Sequence, residues 1–211
     1  ISYTNSVLKT EQRFVCVSRP RRFGKSMTAN MLCAYYGKNV DSDPLFQKLS
    51  ISSCESYRKC LNQYNVIFLN MQTFLGRTES ISEMITLIRK SLLRDLRKAF
   101  PDVDYLSSED LIGVLLDICT QTSESFIFII DEWDCIFREH KSDYDSQKIY
   151  LDFIRGLLKD QSYVALAYMT GILPVKKYGS HSALNMFDEF SMANPGPLAE
   201  FVGFTEAEAL R

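Results

Sequence analysis

The sequence predicts an α/β fold: three layers, α/β/α, around a mostly parallel sheet of about five strands. Two observations carry this. Short apolar runs of strand character alternate with amphipathic stretches of helical period, the pattern of a parallel sheet covered on both faces. Two of those runs also end in turns that carry chemistry. Phe14–Val17 leads into the basic turn Ser18–Phe23 and then Gly24, Lys25 and Ser26, and Phe126–Ile130 leads into Asp131 and Glu132.

Taken in order, residues Ile1–Gln12 form a polar lead-in that suits a short helix. The first strand and the basic turn follow. Met27, Met31, Leu32 and Tyr35 recur at helical spacing up to Tyr36, and Gly37 is a natural stop. Asn39–Cys60 is irregular, with Asp41, Ser42, Asp43 and Pro44 marking a turn. Val66–Met71 is a mostly apolar run and suits a strand buried on both faces. Ile81–Phe100 gathers Ile81, Met84, Ile85, Ile88, Leu92 and Leu96 on one face, and Pro101 ends it. Ser107–Thr122 reads as a helix capped by Ser107 or Ser108, with acids in its first turn. After the strand Phe126–Ile130, Gln147–Lys159 is an amphipathic helix, Val164–Met169 a strand and Glu200–Val202 a last, short strand.

At 211 residues the chain spans one domain. A net charge of −2 gives no whole-chain reason for a nucleic-acid or membrane partner, and no apolar run is long enough to cross a bilayer. None of the six cysteines forms a C-x-x-C pair, and several lie inside apolar runs. They read as small buried hydrophobes in a reducing compartment, the cytoplasm. With only His140 and His181 in the chain, both read as surface residues, a zinc site is not expected. The chain begins without Met and stops inside an incipient helix, so a longer protein is expected.

The basic turn has the chemistry of a phosphate-binding loop. Gly24 lets the backbone approach an anion, Lys25 reaches phosphate oxygens, and Ser26 can hold a divalent cation. The helix that follows presents free N–H groups and the positive end of its dipole. The usual G-x-x-x-x-G-K-[ST] pattern has Gly where this chain has Arg19, and Pro20 biases Arg19 towards extended backbone. Arg19, Arg21 and Arg22 add positive charge. A GKS also arises by chance in basic turns, but here a strand precedes it and a helix follows.

Asp131 and Glu132 end a buried strand, and ligands of parallel sheets sit at the carboxyl ends of strands. Asp131 is then placed to share a cation with Ser26, and Glu132 to activate water. An acidic turn after a buried strand is also a common surface feature. Asp134 reads either as an acid that supports the site from behind or, as the favoured reading, as a solvated loop residue. Thr170, at the end of Val164–Met169, either lies near a bound terminal phosphate or simply terminates its strand. Lys176 and Lys177 read as a solvated basic loop.

Five segments then carry a resemblance: SRPRRFGKS (Ser18–Ser26), IIDEWD (Ile129–Asp134), TGILPV (Thr170–Val175), EFSM (Glu189–Met192) and VGFTEAE (Val202–Glu208). In this order they resemble the bacterial AAA-ATPase-like family, which is often joined to a C-terminal nuclease-like domain of the PD-(D/E)XK superfamily. The resemblance implies a P-loop NTPase fold of the ASCE/AAA type, with an extra strand between the loop strand and the acidic strand. It implies ATP and Mg²⁺, with Arg19, Pro20, Arg21, Arg22, Phe23, Gly24, Lys25, Ser26 and Met27 around the nucleotide. Ser26 and Asp131 hold the metal, Glu132 and Lys25 act in catalysis, and Thr170 takes a sensor-like polar position. The start departs from the family, which opens with a longer segment, and the helical lid and nuclease-like domain lie beyond the end.

Three functions follow as expectations. The first is an ATPase that drives an attached domain. The second is a nucleotide-dependent switch with little turnover. The third is a nucleic-acid-associated module, supported only by the arginine cluster. A homo-oligomer is in keeping with related ATPases, although no interface can be read from the residues.

Overall fold

The computed structural model describes residues 1–38, 40–175 and 184–199. Its strands are β1 (Phe14–Ser18), β2 (Asn65–Asn70), β3 (Phe126–Asp131), β4 (Val164–Gly171) and β5 (Asp188–Phe190). They form one sheet in the order β2-β3-β4-β1-β5, and every pairing is parallel. β4 therefore lies between the loop strand and the acidic strand, as the family resemblance implies. Parallel strands need crossovers, and helices supply them.

The helices are α1 (Ser2–Val7), α2 (Lys25–Tyr36), α3 (Asp43–Phe46), α4 (Tyr57–Cys60), α5 (Met71–Leu75), α6 (Ile81–Ala99), α7 (Leu111–Thr122), α8 (Cys135–Glu139) and α9 (Tyr144–Leu158). The sheet divides them into two layers. Phe126, Phe128 and Ile130 of β3 pack with α5 to α9, while Ile127 and Ile129 face α1, α2 and α4. This is strand alternation at work: each residue of β3 is buried, on one face or the other. β4 breaks the alternation once. Its register against β3 slips at Phe126/Ile127, so Ala165 and Leu166 both face α2. The carbonyl of Ala165 accepts from the Lys9 N–H at 2.9 Å, which ties the lead-in to the sheet.

Helix starts follow short polar side chains. Ser80 caps α6, accepting from the Glu83 N–H, and the Glu83 carboxylate reaches back to the Glu79 N–H at 3.0 Å. α7 begins at Leu111, four residues later than Ser107, because Asp110 is the cap that accepts from the Ile112 N–H. α9 begins at Tyr144, three residues before Gln147, capped by Asp143. Met71 opens α5 rather than closing β2, because Asn70 accepts from the Thr73 N–H and caps the helix.

β2 is not buried on both faces. It is the edge strand of the sheet, and Phe68 is 41% exposed while Ile67 and Leu69 are buried. The expected strand Glu200–Val202 lies outside the described residues. The strand found beside β1 is instead Asp188–Phe190, which overlaps the EFSM segment.

Candidate functional site

Because all strands are parallel, the ends of β1, β3 and β4 share one edge. Register aligns Val17 with Thr170, and Thr170 with Asp131, so the basic loop, the central threonine and the acidic turn follow one row across the sheet. The loop turns through Arg22 and Gly24, both with left-handed backbone (φ +69° and +71°), and α2 starts at Lys25. Lys25 is buried and its Nζ donates to the Pro20 carbonyl at 2.9 Å. Burial pulls the Lys25 pKa below its ordinary value, while Glu132, Asp131 and Asp134 push it up and Arg138 pushes it down. The lysine thus sits within the field of the whole acidic turn.

Arg19 behaves differently from the other arginines. It is only 2% exposed, and its Nη1 donates to the carbonyls of Ser18 (3.1 Å) and Phe190 (2.6 Å). Its backbone N–H donates to the Gly171 carbonyl at 3.1 Å. Arg19 therefore ties β1 to β4 and β5, and its guanidinium is committed to carbonyls of the sheet. Burial lowers its pKa, with Tyr168 opposing. Arg21 and Arg22 are exposed, as are Pro20, Ser26 and Met27, and Phe23 is half-buried.

Asp131 is buried at the end of β3. Its Oδ1 accepts from the Glu132 N–H at 3.0 Å and its Oδ2 from Asn70 Nδ2 at 3.3 Å. Glu132 has left-handed backbone (φ +54°), a conformation that costs a non-glycine residue about 1–3 kcal/mol. Its carboxylate accepts a hydrogen bond from Arg138 of α8.

Asp134 corrects the sequence reading most clearly. It is fully buried, not solvated. Its Oδ2 accepts from the backbone N–H groups of Ile172 (3.1 Å) and Leu173 (2.9 Å) and lies 3.3 Å from Arg138 Nε. Asp134 thus clamps the turn after β4 to the turn after β3. The neighbouring Trp133 is also buried; its N–H donates to the Thr170 carbonyl and its carbonyl accepts from Tyr150.

Thr170 is fully buried and its Oγ1 has no hydrogen-bond partner among the described residues. Trp133 Nε1, Asp134 Oδ1 and Arg138 Nε share that condition, so four such atoms gather at this edge. Buried polar atoms are nearly always satisfied, so a cluster of unpartnered ones at one place is a feature of this edge that calls for an explanation. The donor set here fits Mg²⁺: a hydroxyl (Ser26) and a carboxylate (Asp131), both hard oxygens. Among the described residues, no three His, Cys, Asp or Glu side chains form a metal cage of their own. Mg²⁺ commonly binds through one or two protein oxygens plus phosphate and water, so a full cage is not required.

A pocket of about 520 Å³ opens against the first two turns of α2. Tyr3, Thr28, Met31, Ile51, Tyr168 and Leu198 line it, and Thr28 and Met31 place it within two turns of α2 from Gly24.

Sequence reasoning brought Lys25, Ser26, Asp131, Glu132 and Thr170 to one sheet edge, where the structure has them. It missed Arg138, Asn70 and Glu189, the last accepting from Ser18 Oγ and the Val175 N–H. The spacing of Asp134 and Arg138, one helical turn apart, was a usable signal. His140 ends α8 and is half-buried. Lys176, Lys177, His181 and the segment Val202–Glu208 lie outside the described residues. The six cysteines are free, and no helix among the described residues is long and apolar enough to cross a membrane.

In comparison with known proteins, a family model named AAA-ATPase-like and described as "Predicted AAA-ATPase" matches residues 2–180. No curated protein matches the chain.

Proposed function

Since the chain belongs to the AAA-ATPase-like family, we propose that it binds Mg·ATP along the carboxyl edge of the sheet and hydrolyses it. The observation that carries this is the convergence of Lys25, Asp131 and Glu132 on one edge, with the unpartnered Thr170 hydroxyl between them. The triphosphate lies over Gly24–Ser26, where the N–H groups at the start of α2 meet it. Lys25 exchanges the Pro20 carbonyl for β- and γ-phosphate oxygens. Arg21 and Arg22, both exposed, add charge beside the loop. The pocket lined by Tyr3, Met31 and Tyr168 receives the base, as an apolar site for a flat ring.

Ser26 and Asp131 would hold Mg²⁺, which when bound neutralises phosphate charge. Glu132 orients the attacking water and accepts its proton, and Thr170 holds that water or a γ-phosphate oxygen. Catalysis of this kind is positioning and charge stabilisation more than covalent chemistry. Turnover would drive or regulate an attached domain, with a nuclease-like domain or a further copy of the chain as partners.

A switch with little turnover is the second reading, and one observation favours it: the Glu132 carboxylate is already ion-paired. The nucleic-acid reading weakens, because Arg19 is committed to the sheet. Calorimetry with Mg·ATP on wild type and Lys25→Ala, followed by phosphate release, tests the proposal. Binding lost in the variant, with release by wild type, supports an ATPase. Binding without release supports the switch. No binding by wild type withdraws the nucleotide site.

A further inference from the structure

We propose that Arg138 is a further cation of the phosphate site, exchanging its ion pair with Glu132 for the terminal phosphate when a triphosphate binds. This rests on the nucleotide site proposed above and adds a residue to it. Arg138 is ion-paired to two carboxylates, one held rigidly and one less so. Nε lies 3.3 Å from Asp134 Oδ2, an oxygen immobilised by two backbone N–H groups of the turn after β4. Nη2 reaches out to Glu132, whose side chain is the more exposed of the two carboxylates. Nη1 has no partner among the described residues, so the guanidinium fork is only half used.

Arg138 also acts electrically on Lys25, as one of the charges that shift it. A guanidinium bonded to Glu132, the residue that would face the attacked phosphate, is placed to meet an anion arriving beside that carboxylate. Planar guanidinium is well matched to phosphate oxygens, and a second anion arriving beside Glu132 competes for the same N–H groups. The exchange has two results. Glu132 becomes free to accept from water, and positive charge arrives where negative charge is spread over the phosphoryl oxygens in the transition state. No bond other than hydrogen bonds changes in the exchange.

The consequence is discrimination by the γ-phosphate. In Arg138→Ala, affinity for Mg·ADP stays within about twofold of wild type, whereas affinity for the β,γ-imido triphosphate analogue with Mg²⁺ falls roughly tenfold or more. Turnover of ATP falls by about 10²-fold or more, given what a single charge-stabilising donor contributes. Arg138→Lys, which keeps the charge and stem but not the fork, recovers part of the triphosphate affinity. Calorimetry of both ligands on the three proteins reads this out, and ADP binding serves as the check that each variant is folded. A variant that loses ADP and triphosphate equally, or loses neither, overturns the role of Arg138 while leaving the nucleotide site standing. Faster turnover in Arg138→Ala also overturns it, since Arg138 would then only restrain Glu132. Failure of wild type to bind either ligand removes the site itself, a result separate from all of these.

Discussion

Replacing Gly171 by Ala adds one methyl group where the structure has no room for it. A Cβ on Gly171 would stand 2.7 Å from Asp134 Oδ1, Trp133 Cδ1 and Trp133 Nε1. None of these neighbours is the loose end of a flexible side chain. Trp133 is fully buried and fixed through its backbone to Thr170 and Tyr150, and Asp134 is fixed by Ile172, Leu173 and Arg138. Overpacking a core of this kind costs about 1–3 kcal/mol. Loosening the charged hydrogen bonds of Asp134 adds about 1–2 kcal/mol, set against roughly 0.4–1 kcal/mol gained because Ala restricts the unfolded chain. The net loss is about 1–4.5 kcal/mol, which for a chain of this size lowers the melting temperature by roughly 2–18 °C. Calorimetric melting of the two proteins measures it, and phosphate release on the same samples shows whether displacing Asp134 also disturbs the site. A melting temperature within about 1 °C of wild type, with unchanged turnover, would show that Trp133 and Asp134 yield freely, and the clamp described here would be wrong.

Two further outcomes are expected. Glu132→Gln slows phosphate release by about 10²-fold or more while Mg·ATP affinity stays close to wild type; equal turnover in the two proteins removes the role given to Glu132. Lys25→Met stabilises the nucleotide-free protein, and the gain depends on pH with a definite sign. Burial lowers the Lys25 pKa in the folded state, so the unfolded chain binds the extra proton and the charge is a penalty at neutral pH. The penalty is fully present below the folded pKa and fades as pH rises through it towards the ordinary lysine value. The difference in stability between Lys25→Met and wild type, measured by urea unfolding from pH 7 upwards, therefore shrinks with pH. A difference that grows with pH contradicts this.

Much of the sheet was legible because a parallel strand buried on both faces has to be apolar throughout, and FIFII and VALAYM satisfy that without ambiguity. The edge strand β2 was misjudged for the complementary reason: its residues are as apolar as those of the centre, and nothing in VIFLNM reveals that Phe68 is left 41% exposed. The phosphate loop and acidic turn could be read because their chemistry is local to a few consecutive residues. Asp134 could not be placed, because the backbone N–H groups it accepts from, those of Ile172 and Leu173, lie in the turn after β4, 38 and 39 residues further along the chain. Helix starts moved by three or four residues wherever several acids and serines competed as caps; the winner depends on which carboxylate can turn onto a free N–H, and composition does not encode that.

Arg19 is one of the ties of a short strand. β5 pairs with β1 over only three residues, and its last carbonyl is bound by the Arg19 guanidinium while Glu189 is bound by Ser18. The first residue of the phosphate loop is therefore also the fastening of the outermost strand. A glycine at that place would give the loop freedom but remove the guanidinium bond to the Phe190 carbonyl. With arginine, loop and strand form one mechanical linkage: a displacement of residue 19 pulls directly on Phe190, some 170 residues further along the chain.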